Sequence, residues 1–213
     1  MNKEYSFFAL VSRMKNITRW SLMRNSSPEN VQEHSHMTAV LAHALAVIRR
    51  DVFGGDADPG EAAAMALFHD ASEIFTGDMP TPIKYMNETL TNAYKSAEED
   101  AKKRLLASLP QELRPAYEPL LMEERSAGTA VLSECVGSTS TSLNGTFELV
   151  HAADKLAAYI KCLEEERAGN REFRMAAEQT REKLVALGLP EVNYFMETFM
   201  GPFSLTIDEL GRD

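Results

Sequence analysis

The chain has 213 residues, 44% of them hydrophobic, enough for one well-cored domain spanning residues 1–213. Its 32 acidic against 22 basic residues leave a net charge of −10, which argues against a broad surface for a nucleic-acid polymer because phosphate binding needs clustered Lys and Arg. Cys135 and Cys162 form neither a Cys-x-x-Cys pair nor a disulfide framework, the N-terminus lacks the pattern of a signal peptide, and no apolar run reaches the length of a membrane span. The expectation is a reduced, cytoplasmic protein.

Nearly every segment predicts helix, and no useful stretch shows the alternation of a strand. Phe7, Leu10, Val11 and Met14 share one face of a first helix. A basic, aromatic connector, residues 18–25, follows. Ser27-Pro28 predicts the start of a second helix, with Ser27 as N-cap. Between Glu33 and Arg49 that helix carries no Lys, Arg, Asp or Glu, and its stripe Val31, His34, Thr38, Leu41, Leu45 turns His34 inward. Asp58-Pro59-Gly60-Glu61 reads as a capping box opening a third helix that holds His69-Asp70 and ends near Gly77. A proline-stiffened loop, residues 78–84, comes next, then helices over about 88–108 and 111–124. Residues 125–146 are small and polar and predict an exposed excursion within the single domain. Helix resumes near Phe147, runs through Asp154 to Glu166, and a last helical hairpin reaches about Met200.

His69-Asp70 stands in an apolar run, where an ionised carboxylate needs a partner. Together with His34 and Asp154 it makes a nitrogen–oxygen set without thiolate, suited to Mn, Fe, Co, Ni or Zn. Glu73 follows Asp70 on the same side of the helix and is placed to serve as a base or proton shuttle. Each residue has a plainer reading: a core histidine, a surface carboxylate, a buried aromatic anchor at Trp20, a solvated charge at Arg19, a simple turn at Pro80-Thr81-Pro82. His36 and His43 read as structural, and His151 as a possible neighbour of Asp154.

The order His34, His69-Asp70, Asp154 resembles that of the HD-domain metal-dependent phosphohydrolases, an all-α superfamily built as a compact helical bundle. Asn16-Ile17-Thr18-Arg19-Trp20, Leu22-Met23-Arg24-Asn25, Glu33-His34-Ser35, His69-Asp70-Ala71-Ser72-Glu73 and Thr76-Gly77-Asp78-Met79-Pro80-Thr81-Pro82 are similar, more narrowly, to bacterial 5′-deoxynucleotidases of the YfbR type. The resemblance covers almost the whole chain. It implies hydrolysis of 2′-deoxyribonucleoside 5′-monophosphates to deoxynucleoside and phosphate. It implies a divalent ion, cobalt first with Mn or Zn as alternatives, held by His34, His69, Asp70 and Asp154. It implies that Arg19 orients the phosphate, that Glu73 and Asp70 take part in catalysis, and that Trp20, Asp78, Met79, Pro80 and Thr81, beside the four ligands, meet the nucleotide. It also implies a homodimer. The polar excursion at 125–146 departs from the family pattern. Two other readings stay open: an HD phosphohydrolase of a triphosphate, cyclic or noncanonical nucleotide, and a noncatalytic nucleotide-binding module.

Overall fold

The computed structural model describes residues 4–84, 86–122 and 140–211. Its helices in chain order are α1 (Phe7–Val11), α2 (Val31–Val47), α3 (Pro59–Phe68), α4 (Glu73–Thr76), α5 (Thr81–Lys84), α6 (Glu88–Ala107), α7 (Arg114–Leu121), α8 (Ser140–Arg167), α9 (Arg174–Ala186), α10 (Pro190–Phe199) and α11 (Ile207–Leu210). Among the described residues no strand forms; the only extended pairing is a single bridge between Thr18 and Asn30. The all-α expectation holds.

At the centre α2, α3 and α8 pack together. The uncharged stretch of α2 explains its position: Leu41 and Leu45 are buried with Ala42 and Ala46, and they meet Ala62, Met65 and Ala66 of α3 and Leu149, Ala153, Leu156 and Ile160 of α8, while Val31 is buried in a second cluster with Phe7 and Met14. Each of the larger aliphatic side chains, Leu, Ile and Met, contributes about 1.5–3 kcal/mol on leaving water. The predicted stripe is therefore the buried face, and His34 is fully enclosed on it. His36 and His43 lie on the solvent side, away from the site. That second cluster seats α1 on α6 and α7 through Phe7, Met14, Leu105 and Leu121. At the far end of α2, Arg49 bonds Glu191 of α10, Glu148 and the carbonyl of Gly145, tying three helices together.

Four sequence expectations need correction. Asn30, rather than Ser27, caps α2: its side chain accepts from the Glu33 amide at 3.0 Å while Glu33 accepts from the Asn30 amide at 3.1 Å. The bridge to Thr18 keeps residues 29 and 30 extended, and the Ser27 carbonyl is taken by Lys161. The Asp58 cap of α3 forms, but Glu61 accepts from Thr146 Oγ1 and not from the cap amide, so the box is half made. The third helix does not run through to Gly77. It stops at Phe68, and the chain turns on shorter hydrogen-bonded steps, Ala71 N to Phe68 O and Glu73 N to Asp70 O, before α4. Gly77, at φ 72°, ends α4 in the left-handed region that glycine adopts freely. Finally α7 begins at Arg114, with proline in its first turn, and α8 begins at Ser140. The excursion read at 125–146 thus falls outside the described residues up to 139, and its remainder is the opening of α8.

Candidate metal centre and adjoining cavity

The turn after α3 decides how adjacent residues can act together. On a continuous helix His69 and Asp70 would diverge by about 100°. Where the helix breaks, both face His34 on α2: His69 Nε2 lies 3.1 Å and His34 Nε2 3.6 Å from Asp70 Oδ2. One donor atom each of His34, His69 and Asp70 lies within 4.8 Å of the others. Asp154 arrives from α8, 120 positions along the chain from His34, with Oδ1 3.0 Å from His34 Nε2. The structure therefore gathers His34, His69 and Asp70 of the four predicted ligands into one group, with the fourth, Asp154, joined to it through His34.

The donor chemistry fits a divalent ion. His69 Nδ1 approaches the Ala66 carbonyl at 2.7 Å, which holds the proton on that nitrogen and presents Nε2 to the cluster. That Nε2 is buried and makes no hydrogen bond to any described residue. Two imidazoles and two carboxylates, with no thiolate, suit Mn, Fe, Co, Ni or Zn. Burial by itself would push the His69 imidazole down, yet the charges of Asp70 and Asp154 outweigh it and carry the group up to about 9. Burial would likewise raise Asp70 and Asp154, but the imidazoles and Arg19 hold both carboxyls well below the usual range.

Arg19 overlooks this cluster. Its Nη1 stands 3.3 Å from Asp70 Oδ2, and its Nε donates to Glu29 Oε2 at 3.2 Å. Burial lowers its affinity for a proton, but Asp70, Asp154, Glu29 and Asp78 more than restore it, so the guanidinium stays charged. Trp20 alone among the described non-glycine residues has a positive φ, 58°. That conformation costs about 1–3 kcal/mol. It is offset by the indole N–H to Glu29 Oε2 at 2.9 Å, by Met23 N to the Trp20 carbonyl at 2.9 Å, and by the Phe173 ring 5.3 Å away.

Glu73 behaves differently from the ligating carboxylates. Burial, reinforced by the charges of Asp70 and Asp78, pushes it up to about 10. Its Oε2 is buried and unpaired among the described residues. Such an acid keeps its proton near neutrality, which favours a donor over the base read from sequence. Asp78 is also raised, first by burial.

A cavity of about 670 Å³ opens beside Asp154 and Arg19. Trp20 and the segment Asp78, Met79, Pro80 and Thr81 line it, as the sequence suggested, although Thr81 begins the one-turn helix α5 instead of a loop. Its far wall is a face of α9, Met175, Gln179 and Lys183, which the sequence reading missed; their four-residue spacing is indistinguishable from an ordinary solvated face. A second cavity, about 940 Å³, also reaches His69, Asp70 and Asp154 and is lined by Lys84, Lys95, Lys102 and the exposed His151.

Comparison with known proteins identifies the family and the fold. Residues 6–203 match the family model described as 5′-deoxynucleotidase YfbR-like. The 5′-deoxynucleotidase of Erwinia tasmaniensis is 44% identical, over 97% of this chain and 96% of that protein. The 5′-deoxynucleotidase YfbR of Shigella dysenteriae is 42% identical, over 99% of this chain and 98% of its own length. Among solved structures, an HD-domain phosphohydrolase from Listeria innocua superposes with a TM-score of 0.74 at 21% identity, covering 93% of this chain and 88% of that one. An HD phosphohydrolase of cyanophage S-2L, bound to dA and one catalytic Zn2+ ion, gives a TM-score of 0.54 at 18% identity, covering 89% of this chain and 93% of that one. Those two likenesses speak for the fold; the near-full-length matches above 40% identity decide the family. The chain belongs to the YfbR-like 5′-deoxynucleotidase family.

Proposed function

We propose that this protein is a metal-dependent 5′-deoxynucleotidase, hydrolysing 2′-deoxyribonucleoside 5′-monophosphates to deoxynucleoside and phosphate. The observation that carries the reading is the match, along nearly the whole chain, to proteins of that activity, in a molecule where Arg19 stands over a thiolate-free His–His–Asp cluster. His34, His69, Asp70 and Asp154 would hold the ion. When bound it supplies Lewis acidity toward the phosphoryl oxygens and eases ionisation of water.

The chain's own groups do the rest. Arg19, permanently charged, donates to the phosphoryl group and stabilises the charge that grows on it. Water attacks phosphorus, the bond from phosphorus to the sugar 5′-oxygen breaks, and that oxygen needs a proton. Glu73, whose carboxyl burial raises to about 10, is the group assigned to deliver it, and the proton given up by the attacking water restores the acid. Trp20, Asp78, Met79, Pro80 and Thr81 enclose the nucleoside in the cavity beside Arg19, whose size suits such a ligand. The proline-bordered segment is stiff, so little ordering is lost on binding. The Trp20 ring is assigned the wall that leaves no room for a 2′-hydroxyl.

Cobalt is the ion to load first, with Mn and Zn next; a homodimer is the assembly and the cytoplasm the compartment of this reading. Their support is the family resemblance and, for the metal, the nitrogen–oxygen donor set. Among the described residues no helix is long and apolar enough to cross a membrane.

The test is phosphate release by metal-stripped protein refilled with cobalt, manganese, zinc or magnesium. Substrates are each 2′-deoxyribonucleoside 5′-monophosphate, its ribose counterpart, a 3′-monophosphate and a triphosphate. Release confined to deoxy 5′-monophosphates is expected. Pyrophosphate or triphosphate as product would move the chain to another phosphohydrolase reaction, and metal and nucleotide binding without turnover would make it a binding module.

A further inference from the structure

Outside the four ligands and their immediate neighbours, one side chain touches both groups on which phosphate binding and sugar selection depend. Glu29 Oε2 accepts simultaneously from Arg19 Nε at 3.2 Å and from Trp20 Nε1 at 2.9 Å. The Glu29 carbonyl accepts from the Arg19 amide at 2.9 Å, so Glu29 is tied through the main chain to one of the two residues it grips through the side chain. Its side chain is 15% exposed, and that of Arg19 12%, so solvent offers little substitute for these bonds. We infer that Glu29 is a positioning residue for substrate discrimination, a clamp that sets the Arg19 fork and the Trp20 ring in one fixed relation to the metal centre.

Arg19 lies between two carboxylates, Glu29 on its Nε and Asp70 on its Nη1. Its Nη2 bonds no described residue and is the nitrogen left for phosphate. Without Glu29 the whole fork is free to turn onto Asp70, a proposed ligand, and away from the phosphoryl group. The indole is held in the same way. Its N–H has one acceptor, and the left-handed backbone at Trp20 needs outside contacts to persist. A wall that excludes a single hydroxyl must be held to within about 0.5 Å, and an indole resting on Phe173 alone can slide. Because one oxygen serves both donors, phosphate orientation and sugar selection are coupled through it.

This inference rests on the deoxynucleotidase reading, and its test separates the two. Trp20 is the only tryptophan, so intrinsic fluorescence reports on it directly. In Glu29→Ala, steady-state anisotropy of Trp20 should fall and acrylamide quenching rise, with or without metal. The ratio of kcat/KM for a deoxy against a ribo 5′-monophosphate should narrow about tenfold, with KM for both raised. Glu29→Gln, whose carbonyl oxygen can still accept from both donors, should recover most of the ratio. Trp20→Phe, which keeps a ring but deletes the N–H donor, should narrow the ratio by itself, and adding it to Glu29→Ala should cost less than the two effects combined. It also serves if Glu29→Ala does not fold. An unchanged ratio in Trp20→Phe, or in a folded Glu29→Ala, overturns the clamp while leaving the deoxynucleotidase reading intact. If the wild-type protein shows no deoxynucleotide hydrolysis, that reading fails, and unaltered Trp20 anisotropy in Glu29→Ala then overturns the clamp separately.

Discussion

Replacing Lys161 with Met should loosen the connector that carries Arg19 and Trp20, and the size of the effect follows from its surroundings. Lys161 on α8 bonds the carboxylate of Glu165 and the Ser27 carbonyl, and the two side chains are 6% and 1% exposed. Removing one partner of a buried pair costs about 3–5 kcal/mol, because the other charge is stranded. Glu165 here keeps three donors, the Ser26 amide at 2.8 Å, the Ser27 amide at 3.0 Å and Asn170 Nδ2 at 2.8 Å. They reduce the expected loss to about 2–3 kcal/mol, or about 5–10 °C in Tm for a chain of this size. Residues 26 and 27 are held by this carboxylate, so the segment before α2 should move and KM should rise more than kcat falls. The assays are thermal and urea unfolding of Lys161→Met beside steady-state kinetics. Stability within about 0.5 kcal/mol of wild type would refute the claim that this pair anchors the connector. Glu165 also predicts an acid limb. Burial raises its carboxyl, but Lys161, the Ser27 amide and Asn170 together hold it well below the ordinary value near 4.5, so its stabilisation is complete above that pH and is lost as pH falls.

The other predictions concern the site. Asp70→Ala should lower kcat by about 10³ or more and weaken metal binding measured by calorimetry; full activity in a metal-verified variant would sink the ligand set. Trp20→Ala should raise ribonucleotide hydrolysis relative to deoxyribonucleotide hydrolysis, and an unaltered ratio would acquit Trp20 of excluding the 2′-hydroxyl. Glu73→Gln mimics the protonated acid in shape without its cost of holding a proton, so the fold should be at least as stable at neutral pH while kcat drops about 10²–10⁴-fold; unchanged kcat would remove Glu73 from the reaction. Metal-stripped protein should lose stability between pH 6.5 and 9. His69 is raised from 6.5 to about 9, so the folded state binds a proton the unfolded state has released, and Glu73, raised to about 10, acts in the same direction. A Tm of stripped protein that is flat or rising across that window would contradict these placements.

Much of the molecule is legible in its residues taken in order. The charge-free run between Glu33 and Arg49 marks α2 as the central helix and turns His34 inward, and Asp58 caps α3 as expected, whereas Gly77 ends the short α4 and not the helix that opens at Asp58. His69-Asp70 announced a centre because an ionised group in an apolar run needs a counter-charge. These signals are local: helical period, capping and burial act within a few residues. Packing decided the rest. The break after Phe68 that aims His69 and Asp70 at one point depends on hydrogen bonds made only in the folded turn. Asp154 meets His34 because α2 and α8 pack side by side, and nothing near either residue specifies that approach. The proton-holding environment of Glu73, the α9 wall of the cavity and the double grip of Glu29 arise in the same way. Desolvation and long-range contacts are properties of the assembled core, so residue types could nominate the chemistry while only tertiary structure could bring the groups together and set their protonation.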